Sequence, residues 1–138
     1  MAQQQLGRAS RTYRQIPKEL KERNPEADDR YDGILLAGLR EEILSGSKDK
    51  MLVVLHTSTS HGPTYYKKYP PEFEVFSPVC TTVEMSKADP KELMNAYDNT
   101  IVYTDYLIHS VIEILRGIPQ RRSCVIFVSD HGESLGEG

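Results

Sequence analysis

Apolar residues along the chain fall into a few short segments separated by polar stretches, and their spacing changes from segment to segment. In DGILLAGLREEILS, residues 32–45, Ile34, Leu35, Leu39, Ile43 and Leu44 recur at helical intervals. Asp32 is placed to cap that helix and Gly46 to stop it. MLVVLH at 51–56 is a different signal. Five apolar residues in succession, two of them Val, predict a short strand covered on both faces. Asp89-Pro90-Lys91-Glu92 is a strong helix start, with a cap at Asp89, proline at the first helical position and an acid at the third. Leu93, Ala96, Tyr97, Ile101, Leu107, Val111, Ile114 and Leu115 continue it, and Gly117 and Pro119 end it after about seven turns. SCVIFVS at 123–129 predicts a second buried strand.

Between these elements lie two segments of other character. Residues 57–82 carry Gly62 and Pro63, Pro70, Pro71 and Pro78 among tyrosines and lysines, which predicts a long loop with one short helical turn near 71–76. Loops longer than about 12–15 residues are commonly functional or disordered. The aromatics Tyr65, Tyr66, Tyr69, Phe73 and Phe76 predict that this one is ordered against the body. Residues 1–30 read as a weakly structured basic extension: positions 1–23 hold six basic residues against Glu19 and Glu22, a local net charge of +4. Such a charge is also compatible with an electrostatic anchor for anionic lipid or nucleic acid.

The order α–β–loop–α–β predicts an α/β fold with a right-handed parallel βαβ unit. Ligands of such sheets bind beyond the carboxyl ends of the strands. His56 and His61 follow the first strand, and Asp130 and His131 follow the second, so both polar clusters belong to one sheet edge.

Length and composition narrow the classes. A chain of 138 residues allows one domain. Its 38% hydrophobic content lies below the usual globular level of about 45–50%, so the core is small or belongs to a piece of something larger. No run approaches the ~18 apolar residues of a membrane span, and the start MAQQQLGRAS lacks the apolar region of a signal peptide. A net charge of −3 is not that of a general nucleic-acid binder, and two cysteines cannot staple a disulfide-rich scaffold.

The chemistry sits in two stretches. VIFVSDHGES delivers Asp130 and His131 to a strand end, and Gly132 allows the turn that brings both side chains to one ion. Carboxylate oxygen and imidazole nitrogen are good zinc ligands, although zinc takes about four. The competing reading makes Asp130 a helix cap and His131 a surface residue. In HTSTSHGP, 56–63, the turn at Gly62-Pro63 projects His61 toward the same cleft, where it can bind a metal, contact a phosphoryl oxygen or move a proton. The competing reading is a loop histidine bonded to backbone. Thr57, Ser58, Thr59 and Ser60 have no paired base and read as turn residues. His56 reads as a buried core histidine, His109 as solvent-facing, Cys124 as an inert core thiol, and Cys80 stays ambiguous. Asp98, Asn99 and Asp105 read as the polar face of the long helix.

Taken together, LHTSTSHGPTYYKKYPPEFEVFSPVC, LMNAYDNTIVYTDYLIHSVIEIL and VIFVSDHGESLGE closely resemble the lipid A phosphoethanolamine transferases, the group of the colistin-resistance enzymes within the alkaline phosphatase/sulfatase superfamily. The resemblance covers roughly residues 31–138. It implies a three-layer alkaline phosphatase/sulfatase-like fold with a largely parallel sheet, incomplete in this chain. It implies a periplasmic catalytic domain held at the inner membrane by a separate membrane domain. It further implies transfer of phosphoethanolamine from phosphatidylethanolamine to lipid A through a zinc-activated threonine. Residue by residue, Asp130 and His131 match two zinc ligands and His61 matches a histidine at the phosphoryl group or a second metal. Glu133 lies close by as a substrate-binding candidate.

The family's glutamate ligand, nucleophilic threonine and a further histidine fall outside these 138 residues, so the segment alone is expected to be inactive. Neither Thr57 nor Thr59 matches the nucleophile's motif. The family cysteine corresponding to Cys80 usually pairs with one eight residues later, where this chain has Ala88. The alternatives are another superfamily hydrolase or a phosphoglycerol transferase, and a non-catalytic binding domain of the same fold. Exposed sheet edges in an incomplete sheet also predict self-association.

Overall fold

The computed structural model describes residues 16–84 and 87–135. Among the described residues three α-helices are present: α1 at Ile16–Arg23, α2 at Leu39–Ser45 and α3 at Pro90–Arg116. Short 3₁₀ turns stand at Asp32–Leu36, Tyr65–Lys67 and Pro71–Phe73. The start of α3 is as its sequence dictates. The Asp89 carboxylate accepts the backbone N–H groups of Lys91 and Glu92 at 2.8 and 3.2 Å, and Pro90 opens the first turn. Gly117 closes the helix, its N–H donating to the Glu113 carbonyl.

α3 is the spine on which the rest packs. Leu93, Ala96, Thr100, Tyr103 and Leu107 recur every three or four residues and are buried along one stripe. Three apolar clusters follow this stripe and its continuation. Tyr65 and Cys80 join Leu93 and Ala96 near the amino end, and Tyr69 joins Tyr103 and Leu107 at the centre. Leu39 and Ile43 of α2 meet Ile118 beyond the carboxyl end. The long loop is therefore ordered, as its aromatics require, and the turn expected near 71–76 is the one at Pro71–Phe73.

A buried amide fixes the middle of that loop. Asn99 is fully buried, and its Oδ1 accepts the N–H groups of Val75 and Phe76 at 2.9 and 2.8 Å. Its Nδ2 donates to the Phe76 carbonyl and to the Tyr69 hydroxyl. Asn99 thus replaces the secondary structure that the loop lacks, and it is not part of a solvated polar face.

Three further expectations are corrected. The helix at 32–45 is broken: Gly38 adopts a left-handed conformation, φ 73°, between the 3₁₀ turn and α2. Asp32 caps nothing there. Its carboxylate instead accepts the Ser58 N–H and the Thr59 hydroxyl, each at 2.6 Å, binding the start of the histidine loop. The stop at Gly46 does hold.

The second correction concerns the sheet. Among the described residues no β-strand is formed, so the parallel βαβ unit is not present. Residues 51–56 and 123–129 have no backbone hydrogen bonds to each other, and their side chains stand open, with Leu52 88% and Ile126 81% exposed. An apolar run on both faces belongs in the middle of a sheet, and a strand exists only when neighbours take up its N–H and C=O groups. The third correction follows from the second. His56 and Cys124 are exposed rather than buried, because the sheet that would cover them is not formed. Cys80 is buried, and both cysteines are free.

Replacing Asn99 by alanine strands two N–H groups of the 71–78 loop as well as opening a void. The expected loss is about 2–4 kcal/mol of unfolding free energy, read from urea denaturation, with the loop's amides exchanging first. A loss below about 0.5 kcal/mol contradicts this role for the amide.

Candidate metal and phosphoryl site

Two loops converge at the carboxyl ends of the extended segments. Residues 57–62 are held from below by Asp32 and from the side by α3, where the Ser60 hydroxyl lies 3.1 Å from that of Thr100. Thr59 is buried, with its hydroxyl committed to Asp32. The His61 N–H closes a turn onto the Ser58 carbonyl at 3.1 Å. On the other side, the Ser129 hydroxyl donates to the His131 carbonyl at 2.6 Å and turns the chain at Asp130-His131.

Glu133 ties the two loops together. Its carboxylate accepts the Gly62 N–H at 3.3 Å and the Tyr65 hydroxyl at 3.2 Å. Glycine is needed at 62 for this close approach: a Cβ there would lie 2.7 Å from the Tyr65 hydroxyl oxygen. Burial, reinforced by the Glu133 charge, pushes the Tyr65 phenol up to about 12, so it remains a donor throughout the neutral range. The sequence marks neither Tyr65 nor Asp32 as a site residue. Tyr65 is one of several loop aromatics, and Asp32 precedes a helical pattern, so no local spacing marks either.

The result is a cluster of three donors. The rings of His61 and His131 meet edge to face with centroids 5.7 Å apart, and one ligand atom from each of His61, His131 and Glu133 lies within 4.8 Å of the others. The two histidines are exposed and Glu133 is half-buried. Each imidazole donates from Nδ1 to a neighbouring carbonyl, His61 to Gly62 and His131 to Gly132, both at 2.9 Å. That fixes the tautomer and leaves Nε2 with its lone pair outward, the arrangement a metal-binding histidine requires.

Asp130 stands outside the three-donor cluster, 80% exposed, with Oδ1 3.8 Å from the His131 Nε2. Zinc–ligand distances of about 2.0–2.2 Å allow one ion to touch two atoms that far apart, so the pair fits a shared ion. The Gly132 carbonyl first, then the Asp130 and Glu133 charges, raise the His131 pKa above the ordinary histidine value.

A profile of the sulfatase family matches residues 4–138. The chain belongs to the sulfatase family. Within this family it is 44% identical over 108 residues to phosphoethanolamine transferase EptA of Salmonella typhimurium, which covers 78% of this chain and 20% of that protein. It is similar to the crystal structure of the C-terminal periplasmic domain of phosphoethanolamine transferase EptC from Campylobacter jejuni. There the TM-score is 0.75 at 46% identity, over 80% of this chain and 36% of that one. The integral membrane lipooligosaccharide phosphoethanolamine transferase A from Neisseria meningitidis gives a TM-score of 0.76 at 41% identity, over 86% and 23%. The chain therefore spans about a fifth of the length of the EptA relative it matches. The likeness to solved members supports the sulfatase-like fold even though no strand is formed among the described residues. The family profile also reaches back to residue 4, beyond the 31–138 that the motifs cover. No helix is long and apolar enough to cross a membrane among the described residues.

The tyrosines of this framework give a pH test. Tyr65 and Tyr103 are both pushed up to about 12, chiefly by burial. An unfolded tyrosine loses its proton near 10, so between about pH 10 and 12 the folded state holds more protons than the unfolded state. Their contribution is complete below about pH 10 and is lost as pH rises through about 12. Burial raises Tyr69 as well, so titration followed at the phenolate absorbance is expected to leave at least Tyr65 and Tyr103 un-ionised at pH 11 until the fold opens, and one fewer tyrosine in Tyr65→Phe. All tyrosines ionising together near pH 10 with the fold intact refutes the burial argument.

Proposed function

We propose that this chain is the metal- and phosphoryl-binding part of a phosphoethanolamine transferase. In this reading the whole protein moves phosphoethanolamine from phosphatidylethanolamine to lipid A at the periplasmic face of the inner membrane. The observation that supports it most is the convergence of His61, His131 and Glu133, with Asp130 alongside, in a chain whose relatives bear that activity in their names.

Asp130 and His131 would hold zinc, the carboxylate through Oδ1 and the imidazole through Nε2. Bound there, zinc supplies Lewis acidity: it lowers the pKa of a coordinated hydroxyl and neutralises charge on phosphoryl oxygens. His61, across the cleft from His131, presents its free Nε2 to the phosphoryl group, where it donates a hydrogen bond when protonated and accepts a proton when neutral. Glu133 keeps the two loops at fixed separation through Gly62 and Tyr65, and its carboxylate edge is a place for the cationic ethanolamine amine. The threonine nucleophile implied by the resemblance is not assigned within these residues. Thr59 is unsuited to it, being buried and bonded to Asp32.

Two donors with two others at longer reach make a weak site. Calorimetric titration of the 138-residue chain with zinc is expected to show micromolar or weaker binding that falls about tenfold or more in Asp130→Ala and in His131→Ala. Equal heats in all three proteins reject metal binding at this pair. The same substitutions placed in the complete transferase are expected to abolish the gain of phosphoethanolamine on lipid A, followed by mass spectrometry. Persistent transfer there rejects the functional assignment even if zinc binds.

A further inference from the structure

The histidine loop has two supports, and both start from one turn of α3. Directly, the Ser60 hydroxyl lies 3.1 Å from that of Thr100 and 3.4 Å from that of Thr104. The Thr100 hydroxyl is itself held, 2.6 Å from the Tyr97 carbonyl. Indirectly, the Tyr103 hydroxyl accepts the Gly33 N–H at 2.9 Å, which fixes the backbone next to Asp32. A Cβ at position 33 would lie 2.8 Å from that oxygen, on a ring already packed against Tyr31, Phe73 and Tyr106, so glycine is needed for the approach.

From there Asp32 reaches across to the loop. Its Oδ2 accepts the Ser58 N–H and the Thr59 hydroxyl, each at 2.6 Å. Thr59 is 2% exposed, so the second bond is shielded from solvent. The two bonds fall three and two positions before His61, inside the turn that the His61 N–H closes onto the Ser58 carbonyl. Hydrogen bonds to a carboxylate are short and about twice as strong as neutral ones. The segment leading into the turn, 51–56, forms no strand among the described residues, so no sheet ladder sets the position of the turn.

We propose that Asp32 is a positioning residue which, acting through Thr59, fixes where the His61 imidazole stands opposite His131. It passes the register of the 100–104 turn of α3 to the loop, and the hydroxyl of Thr59 is the link. The step served rests on the transferase reading above, in which His61 Nε2 meets the phosphoryl group. Placement of such a group matters steeply, since an error of about 1 Å can cost about 100-fold in rate. A merely structural role for the same bonds would show as lost stability with the two rings still in contact.

Two measurements separate these outcomes. In the 138-residue chain, the nuclear Overhauser effect between the His61 and His131 ring protons reports the edge-to-face contact, whose centroids stand 5.7 Å apart. It is expected to vanish in Thr59→Val, which keeps the shape and removes the hydroxyl, and in Asp32→Ala, and to persist in Thr59→Ser. The Thr59 pair, with helix content followed by circular dichroism, decides the matter should Asp32→Ala fail to fold. In the complete transferase, Thr59→Val is expected to lower kcat about 10–100-fold with KM for phosphatidylethanolamine within about twofold, and Thr59→Ser to restore most of the rate. A ring contact that survives Thr59→Val overturns the proposal whatever the activity. So does a lost contact with unchanged kcat, or a rise in KM that accounts for the whole loss. An inactive parent transferase refutes the transferase reading instead, and the ring contact alone then decides the role of Asp32.

Discussion

The structure depends on the buried stripe of α3. A helix of 27 residues presents Leu93, Ala96, Thr100, Tyr103 and Leu107 on one line, and every ordered piece of the loop region is anchored to it. In an α/β fold a helix of this kind normally covers a sheet. Here it also organises non-helical chain on its other neighbours, through Asn99 to the 71–78 loop and through Thr100 to Ser60. Apolar burial supplies the general attraction, while these hydroxyl and amide contacts set the register of the loop that carries His61. That division explains how the histidine loop is held in place although the strand leading into it is not.

The site inherits both conditions. His61 is positioned from the helix side, by Asp32, Thr59 and Ser60. His131 is positioned by its own turn, by its edge-to-face contact with His61 and by the nearby Glu133 bridge, since its approach segment pairs with no strand among the described residues. The Glu133 bridge to Gly62 and Tyr65 is consequently the main link across the cleft mouth, and its half-buried carboxylate is the least solvated acid of the cluster. The exposed pair Asp130–His131 lies outside that link, with Oδ1 of Asp130 3.8 Å from Nε2 of His131.

The long helix and its caps are legible in the sequence because their causes are local. The Asp89-Pro90 start and the Gly117 end of α3 follow from capping chemistry, and the aromatics of 65–76 announce an ordered loop. Topology points His61, Asp130 and His131 to one edge and the resemblance adds Glu133 close by, whereas the geometry groups His61, His131 and Glu133 and leaves Asp130 outside the cluster. What was not legible came from distant partners. Asp32 looks like a cap until Ser58 and Thr59 compete for its carboxylate, and Gly38 breaks a pattern whose apolar spacing is otherwise helical. Asn99 has the same polarity as its solvated neighbours, so nothing local tells that it is enclosed.

The sheet is a different kind of failure. Residues 51–56 and 123–129 carry the pattern of central strands, and the reading of their character agrees with the exposed apolar walls they form. A strand is not a property of its own sequence alone. A helix satisfies its backbone within itself, whereas a strand borrows every hydrogen bond from neighbours. Central-strand sequence without adjacent strands therefore gives extended, unpaired chain, and the family fold is carried here by the helix, the loops and the shared ends of the two segments. Those shared ends also carry His61, His131 and Glu133, so these side chains come together without a completed sheet beneath them.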